Sequence, residues 1–290
     1  MVSTCSQIAE HLAAGSYRRL VVLCFLVAGA FAGVGAARAS TFTDARASSE
    51  PTLRIVFPEG FSTRQMADRV AAVRRIAIAT RDVTPRLTGK GYRRAVVRGV
   101  PPRAFRRYLE RRSLEGFLFP ALYEFAPRTS PDELVAKQLA AFEERWRNVD
   151  LRRARGRTPY DVLIIASMVE RETVAPAERA LVSAVIHNRL DRGMPLGIDA
   201  TIRYGLGIPG TRPLRREHLE SDSPYNTRRF EGLPPTQIAN PGLASIRAAA
   251  RPADVDYLFF VRKPDSVRHF FTANEAEFCR KSLEYGYGGC

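Results

Sequence analysis

The chain has 290 residues, of which 45% are hydrophobic and 26% charged. That length leaves room for one large or two modest domains with real cores, and that composition excludes an intrinsically disordered chain. The net charge of +15 is almost all arginine, spread along the chain with no recognition-helix or RNP-type motif beside it, so it reads as solvated faces and no nucleic-acid partner is expected.

In chain order, residues 1–19 form a short amino-terminal, cytoplasmic stretch that ends on Arg18-Arg19. Residues 20–37 are uncharged and largely apolar, close to the short limit of the ~20 residues that cross a bilayer. The basic flank suits the cytoplasmic side. Ala37-Arg38-Ala39 also fits a signal-peptidase site. A single-pass anchor in the inner membrane and a cleaved signal with a periplasmic product both stand, and either one exports the rest. Cys24 lacks the small preceding residue that a lipoprotein signal needs. Cys279 and Cys290 are the exported cysteines; a disulfide between them is permitted by compartment but implied by no framework.

Residues 38–52 read as a polar linker. Residues 53–112 begin with a strand, Leu53–Phe57, and a turn, Pro58-Glu59-Gly60. Ser62-Thr63-Arg64-Gln65 then opens a helix with a capping-box pattern, and Met66, Val70, Val73 and Ala77 continue its stripe. Thr80 to Arg112 is weakly patterned, with helical character around Pro102–Leu109. The remainder, 113–290, starts with Leu114–Phe125, dense in aromatics and bounded by Gly and Pro, which suits an irregular or extended wall. Ser130-Pro131-Asp132-Glu133 opens another capped helix, with Leu134, Gln138 and Ala141 on one side and Trp146 near its end.

The densest apolar run follows, Asp161 to Thr173. Thr158 suits the N-cap, Pro159 the first helical position and Asp161 the first turn. Val162, Ile165, Ala166 and Val169 recur at helical spacing, and Leu163, Ile164 and Met168 extend burial to most sides. Pro176 disfavours helix in the residue before it. Glu170 lies beside the buried stripe, and Glu172 points about 200° away from it. A carboxyl at a helix C-terminus meets the negative end of the dipole, an effect of only about 0.3–1 kcal/mol. An acid working at neutral pH would need partial desolvation as well. Arg171 and Arg179 would oppose that if close. By itself this helix leaves two readings open: a working acid at Glu170, or a solvated pair of glutamates matched to arginines.

A second amphipathic helix runs from Pro176 through Leu181, Val185 and Ile186 and closes at Leu190-Asp191-Arg192-Gly193. Met194–Gly205, Ser223-Pro224-Tyr225-Asn226-Thr227, Gly232-Leu233-Pro234-Pro235 and Ile238-Ala239-Asn240-Pro241-Gly242 read as loops. A short Ala-rich helix, Leu243–Ala250, follows, and Tyr257–Val261 with His269–Phe271 read as a terminal strand pair. Loops carrying Asp, Asn, Thr and Tyr beside a carboxyl-bearing helix suit a sugar-binding groove. The same side chains could instead satisfy their own backbone.

Taken in this order, Leu114–Phe125, Ala166–Thr173, Asn188-Arg189-Leu190, Met194-Pro195-Leu196, Asp199 with Thr201 and Tyr204-Gly205, and the loops through Gly242 with His269–Thr272 resemble the MltG family, the YceG-like endolytic murein transglycosylases of bacteria. The resemblance runs from about Arg54 to about Lys281. It implies an α+β fold with a mainly helical, lysozyme-like catalytic core, a small β-rich part and a reduced N-terminal LysM-like strand–helix unit. It implies a lyase that cleaves the MurNAc–GlcNAc bond of nascent peptidoglycan glycan strands and leaves 1,6-anhydro ends. No metal and no cofactor are implied. Peptidoglycan synthases at the membrane are the implied partners.

The family's catalytic glutamate falls on Glu170. Asp199, Thr201, Tyr204, Tyr225, Asn226 and Thr227 are candidates for lining the groove, while Glu115 and Glu172 are expected to brace loops. Two departures stand out. The linker runs almost directly into Leu53, with less LysM-like sequence than is usual. Gly197 and Ala200 also replace the family's typical glutamine and proline. A hydrolytic muramidase, with Asp199 as its second carboxylate, and a non-catalytic wall-binding scaffold are the alternatives.

Overall fold

The computed structural model describes residues 50–108 and 113–288. The expected anchor or signal segment at 20–37 lies outside them, as do Cys5, Cys24 and Cys290. Cys279 is disulfide-bonded. Among the described residues no helix is long and apolar enough to cross a membrane.

Strand β1 (Leu53–Val56) alternates buried and exposed residues, the pattern of a sheet with one solvated face. It pairs antiparallel with β2 (Leu122–Phe125), with Leu53 opposite Phe125 and Val56 opposite Leu122. The extended wall expected at Leu114–Phe125 is therefore a strand only in its last third. Between the two strands lie α1 (Thr63–Arg81) and α2 (Gly89–Arg98). Ser62 and Gln65 complete the capping box of α1, and Met66, Ala67, Val70 and Ala77 are its buried stripe.

Helix α2 falls in the weakly patterned stretch. It is set by the Thr88 cap and by only three buried residues, Gly89, Tyr92 and Ala95, too few to stand out as a period. The helical character expected at 102–109 is a 3-10 segment, Arg103–Tyr108. Leu53, Ile55, Phe57, Met66, Tyr92, Leu114, Leu118, Tyr123, Phe125 and Leu134 share one apolar cluster, so the expected division at 112/113 runs through a continuous core.

The remaining core is built around α4 (Pro159–Glu172). Its capping box joins Thr158 and Asp161, and every residue from Val162 to Val169 is buried. It packs on α5 (Arg179–Asp191), α6 (Asp199–Leu206) and α8 (Leu243–Ala250). An aromatic wedge closes one end: Phe105 meets Phe117 at 5.0 Å and Trp146 at 4.8 Å between ring centroids. Trp146 ends α3 (Pro131–Trp146), whose Ser130–Glu133 capping box forms as expected.

Asp199, Thr201 and Tyr204, expected in a loop, lie on α6. This helix starts with no side-chain cap and stops at Gly207 with φ +66°, so its boundaries carry little sequence signal. A four-residue helix, α7 (Arg216–Leu219), is likewise new. The expected terminal strand pair is present as β3 (Phe259–Arg262) and β4 (His269–Thr272), with Phe260 opposite Phe271. Helix α9 (Glu275–Glu284) covers it.

Candidate active site

Glu170 stands at the last turn of α4, and its side chain is 7% exposed. It is therefore no solvated surface charge. The apolar wall below it is Ala166 and Val169, both fully buried. Above it two loops meet. The turn Glu59-Gly60 leaves β1, and Asn240-Pro241-Gly242 leads into α8. They are tied together by backbone bonds, from Gly60 N–H to Asn240 O at 2.9 Å and from Asn240 N–H to Phe61 O at 2.9 Å.

The Gly242 N–H donates to Glu170 Oε2 at 2.9 Å. That group is the N-cap position of α8, so a carboxyl at the unfavourable end of one helix dipole also sits at the favourable end of another. Gly60 has φ +78°, and a Cβ there would stand 3.5 Å from Glu170 Cγ. Glycine supplies both the left-handed turn and the close approach.

Arginines do come near. Arg179 Nη2 lies 4.0 Å from Glu170 Oε1 and is steered by its Nε bond to Ser245 Oγ at 3.2 Å. Arg171 packs against Gly60 alongside Glu170 and donates to Gly60 O at 3.2 Å. A further carboxyl beside Glu170 is Glu59, which the sequence reading treated only as part of a turn. Burial and the negative charge of Glu170 push the Glu59 carboxyl up, and Arg179 pulls it down.

The loop at 240–242 is held from below. Ser167 Oγ accepts the Ile238 N–H at 3.0 Å. Asn240, fully buried, accepts the Leu118 N–H at 3.0 Å and donates to Phe61 O and to Glu115 Oε1 at 2.8 Å. Glu115 also accepts from Thr63 N–H at 3.0 Å and from Tyr204 OH at 3.1 Å. It thus braces loops as expected, with its carboxyl pushed up to about 7 by burial against those hydrogen bonds. Glu172 is half-buried. Burial and the neighbouring Asp199 raise its carboxyl, while Arg262 and Arg171 lower it.

Tyr204 and Tyr225 pack with their rings tilted at 58° and centroids 5.3 Å apart. The Tyr225 hydroxyl shares a 2.7 Å bond with Thr236 Oγ1. Both tyrosines thus belong to the network that ends at Asn240. Thr201 and Thr227 are buried and bonded to each other at 3.0 Å, with Thr227 Oγ1 accepting the Ile198 N–H. Asn226, also buried, ties Leu219 O and Ser221 O at 2.9 and 2.8 Å. These three polar side chains are satisfied inside the protein. Asp199 pairs with Arg228 at 2.7 Å and bears on Glu172, not on Glu170. Gly197 has φ +67°, a conformation that disfavours a glutamine there.

Glu59, Asn240 and Gly242 are the residues that sequence reasoning did not single out. Their signal was a carboxylate in a Pro-Glu-Gly turn and an Asn-Pro-Gly turn, both of which read as ordinary loop punctuation. Among the described residues no group of His, Cys, Asp and Glu side chains could hold a metal ion.

Residues 8–283 match the model of the YceG-like family. Over 154 residues the chain is 38% identical to the endolytic murein transglycosylase of Bacillus subtilis (strain 168), a match covering 52% of this chain and 42% of that protein. It is 31% identical over 180 residues to the endolytic murein transglycosylase of Streptococcus pneumoniae (strain ATCC BAA-255 / R6), covering 59% of this chain and 32% of that one. The chain thus spans less than half the length of these curated relatives. The crystal structure of the YceG-like protein lmo1499 from Listeria monocytogenes has the same fold, with a TM-score of 0.66 and 26% identity over 79% of this chain and 75% of that one. With the family model covering nearly the whole chain and a solved member sharing its architecture, this protein belongs to the YceG-like family.

Proposed function

We propose that the chain is a lytic transglycosylase acting endolytically on peptidoglycan, with Glu170 as its acid. The observation that carries this reading is the shielded Glu170 carboxyl, 7% exposed, fixed by the Gly242 N–H where the turn after β1 meets the loop before α8. The relatives named endolytic murein transglycosylases support the same chemistry.

Cleaving the bond from N-acetylmuramic acid to N-acetylglucosamine needs a proton at the leaving oxygen as oxocarbenium character develops at the anomeric carbon. Glu170 delivers it. The muramoyl C6 hydroxyl then attacks that carbon, gives its proton to a carboxylate and closes the 1,6-anhydro ring. One glutamate can serve both steps in turn. The Gly242 N–H stabilises Glu170 once it is ionised, and the apolar wall of α4 keeps bulk water from its lower face.

Residues 53–112, with β1, α1 and α2, are read as the reduced LysM-like region, and residues 113–290 as the lysozyme-like catalytic domain. Residues 20–37 are read as the segment that places both outside the cytoplasm, beside the synthases that make the strands.

Mass spectrometry of a peptidoglycan digest tests the reaction. Fragments ending in 1,6-anhydro-MurNAc, lighter by one water than reducing ends, are expected. Reducing ends alone would establish a hydrolytic muramidase, and no fragments a wall-binding scaffold. Glu170→Gln is expected to lower product formation at least ~10²-fold; near wild-type turnover would remove Glu170 from the mechanism.

A further inference from the structure

We propose that the cavity between the end of α8 and the loop after α3 is a second ligand site, which takes a phosphate-bearing anion, either a phosphate monoester or a diphosphate. The site goes beyond the transglycosylase reading and does not depend on it.

The cavity has a volume of about 470 Å³ and is lined by Arg152, Arg153, Arg247 and Arg251, with Asp150 as its one carboxylate. Asp150 is already taken. Arg152 grips it through Nε at 2.9 Å and Nη2 at 2.8 Å, and the Arg152 N–H adds a further bond at 3.0 Å. The side chains of Arg153, Arg247 and Arg251 make no hydrogen bond and no ion pair with any described residue. Arg153 bears on Asp150 only through space. Three guanidiniums thus line one cavity with no counter-charge of their own.

The fold brings them there on fixed backbone. Arg247 and Arg251 lie four residues apart on one exposed face of α8, while Ile246, Ala248, Ala249 and Ala250 beside them are buried. Arg152 and Arg153 sit on a turn closed by the Ala154 N–H on Leu151 O at 3.0 Å, with the Ala154 side chain fully buried. Just upstream, the Val149 N–H closes on Trp146 O at 2.9 Å. Backbone set before a ligand arrives lowers the ordering cost of binding.

Like charges at that helical spacing weaken a helix, and unpaired guanidiniums within a Debye length of ~8 Å repel one another. A multivalent anion relieves both. Guanidinium forks match the oxygens of a phosphate. A phosphate monoester brings about two negative charges at neutral pH, where a carboxylate brings one. The competing reading is that these arginines only offset helix dipoles. Arginines in that role commonly bond the last carbonyls of the helix, and here none of the three does. Glu170 is held at the opposite end of α8 by the Gly242 N–H, about 12 Å of helix away, so the site is separate from the acid.

Isothermal titration of the full chain with inorganic pyrophosphate tests the site. Saturable binding that weakens as salt rises is expected, with the unfolding midpoint raised by about 3 °C at about ten times Kd. Arg153→Gln, Arg247→Gln and Arg251→Gln should each weaken binding at least ~10-fold. Without pyrophosphate these variants should unfold no lower than wild type, because repulsion is relieved. Arginines that serve only as helix-end charges would instead give less stable variants with an intact pyrophosphate response. Arg75→Gln, which removes an exposed charge on α1 away from the cavity, controls for net charge and should bind as wild type does.

Vesicles of phosphatidylcholine with and without phosphatidic acid then identify the source of the phosphate. A gain in binding from phosphatidic acid that Arg247→Gln removes and pyrophosphate competes away marks a lipid head group. Pyrophosphate binding with no such gain marks a soluble phosphate ester. No saturable pyrophosphate binding, no loss in the three cavity variants, or an equal loss in Arg75→Gln would overturn the proposal.

Discussion

Glu115 offers a quantitative test of how the site is held. Its side chain is buried, 2% exposed, and among the described residues no cation is paired with it. Burial pushes the carboxyl from 4.5 up to about 7, although Thr63, Tyr204 and Asn240 all donate to it. A folded-state pKa above the unfolded one means that the folded protein binds this proton more tightly. The contribution to stability is whole below about pH 4.5, is lost as pH rises through about 7 and is constant above that. At about 1.4 kcal/mol per pH unit, the loss is about 3 kcal/mol.

Glu115→Gln removes the ionisation and can keep the bonds. The amide oxygen accepts from Thr63 N–H and Asn240 Nδ2, and the amide nitrogen donates to the Tyr204 and Thr63 hydroxyls. The variant should be more stable than wild type by about 2–3 kcal/mol at pH 8 and within about 0.5 kcal/mol of it at pH 4. His187 acts in the opposite direction. Its buried ring is pushed down to about 4, so its contribution is present above about pH 6.5 and is lost as pH falls to about 4.

The wild-type curve therefore hides both groups, and the difference between variant and wild type at each pH is the quantity to measure. Urea unfolding followed by fluorescence of Trp146, the only tryptophan, supplies it. A difference that does not change between pH 4 and pH 8, or a variant less stable at pH 8, would refute the reasoning.

Two further outcomes are expected. Asn240→Ala strands the Leu118 N–H and removes a donor from Glu115, and should cost about 3 kcal/mol in urea unfolding; a loss below ~0.5 kcal/mol would mean the loops are held by packing alone. Histidine-selective 15N NMR should find His187 neutral, with its proton on the Nε2 that bonds Ala249 O at 3.0 Å, down to about pH 4; titration near 6.5 would refute its burial.

Much of the scaffold was legible because it is written in local chemistry. Ser62, Ser130 and Thr158 announce α1, α3 and α4 through side-chain oxygens that bond the backbone three residues on. The apolar saturation of Val162–Val169 predicts a helix buried on most sides. Helices α2 and α6 were not legible. One buries too few residues to show a period, and the other has no cap and takes its place from the Thr201–Thr227 contact across the chain. Polar side chains at 199–227 read as groove-lining because a sequence does not show what satisfies a hydroxyl or an amide. In the fold Thr201, Asn226 and Thr227 satisfy one another and nearby backbone.

What the sequence determined by itself was α4, its end at Glu170 and the ordered strings that resemble one family, since each depends on neighbours a few residues away. The tertiary structure alone decided that Glu170 is shielded, that Arg179 reaches it, that Asp199 belongs to Arg228 and Glu172, and that Glu59 stands beside it. The last of these joins positions more than a hundred residues apart through two glycines whose missing side chains let the loops close. An absent atom has no periodicity to read, so only the folded chain reveals what fills its place.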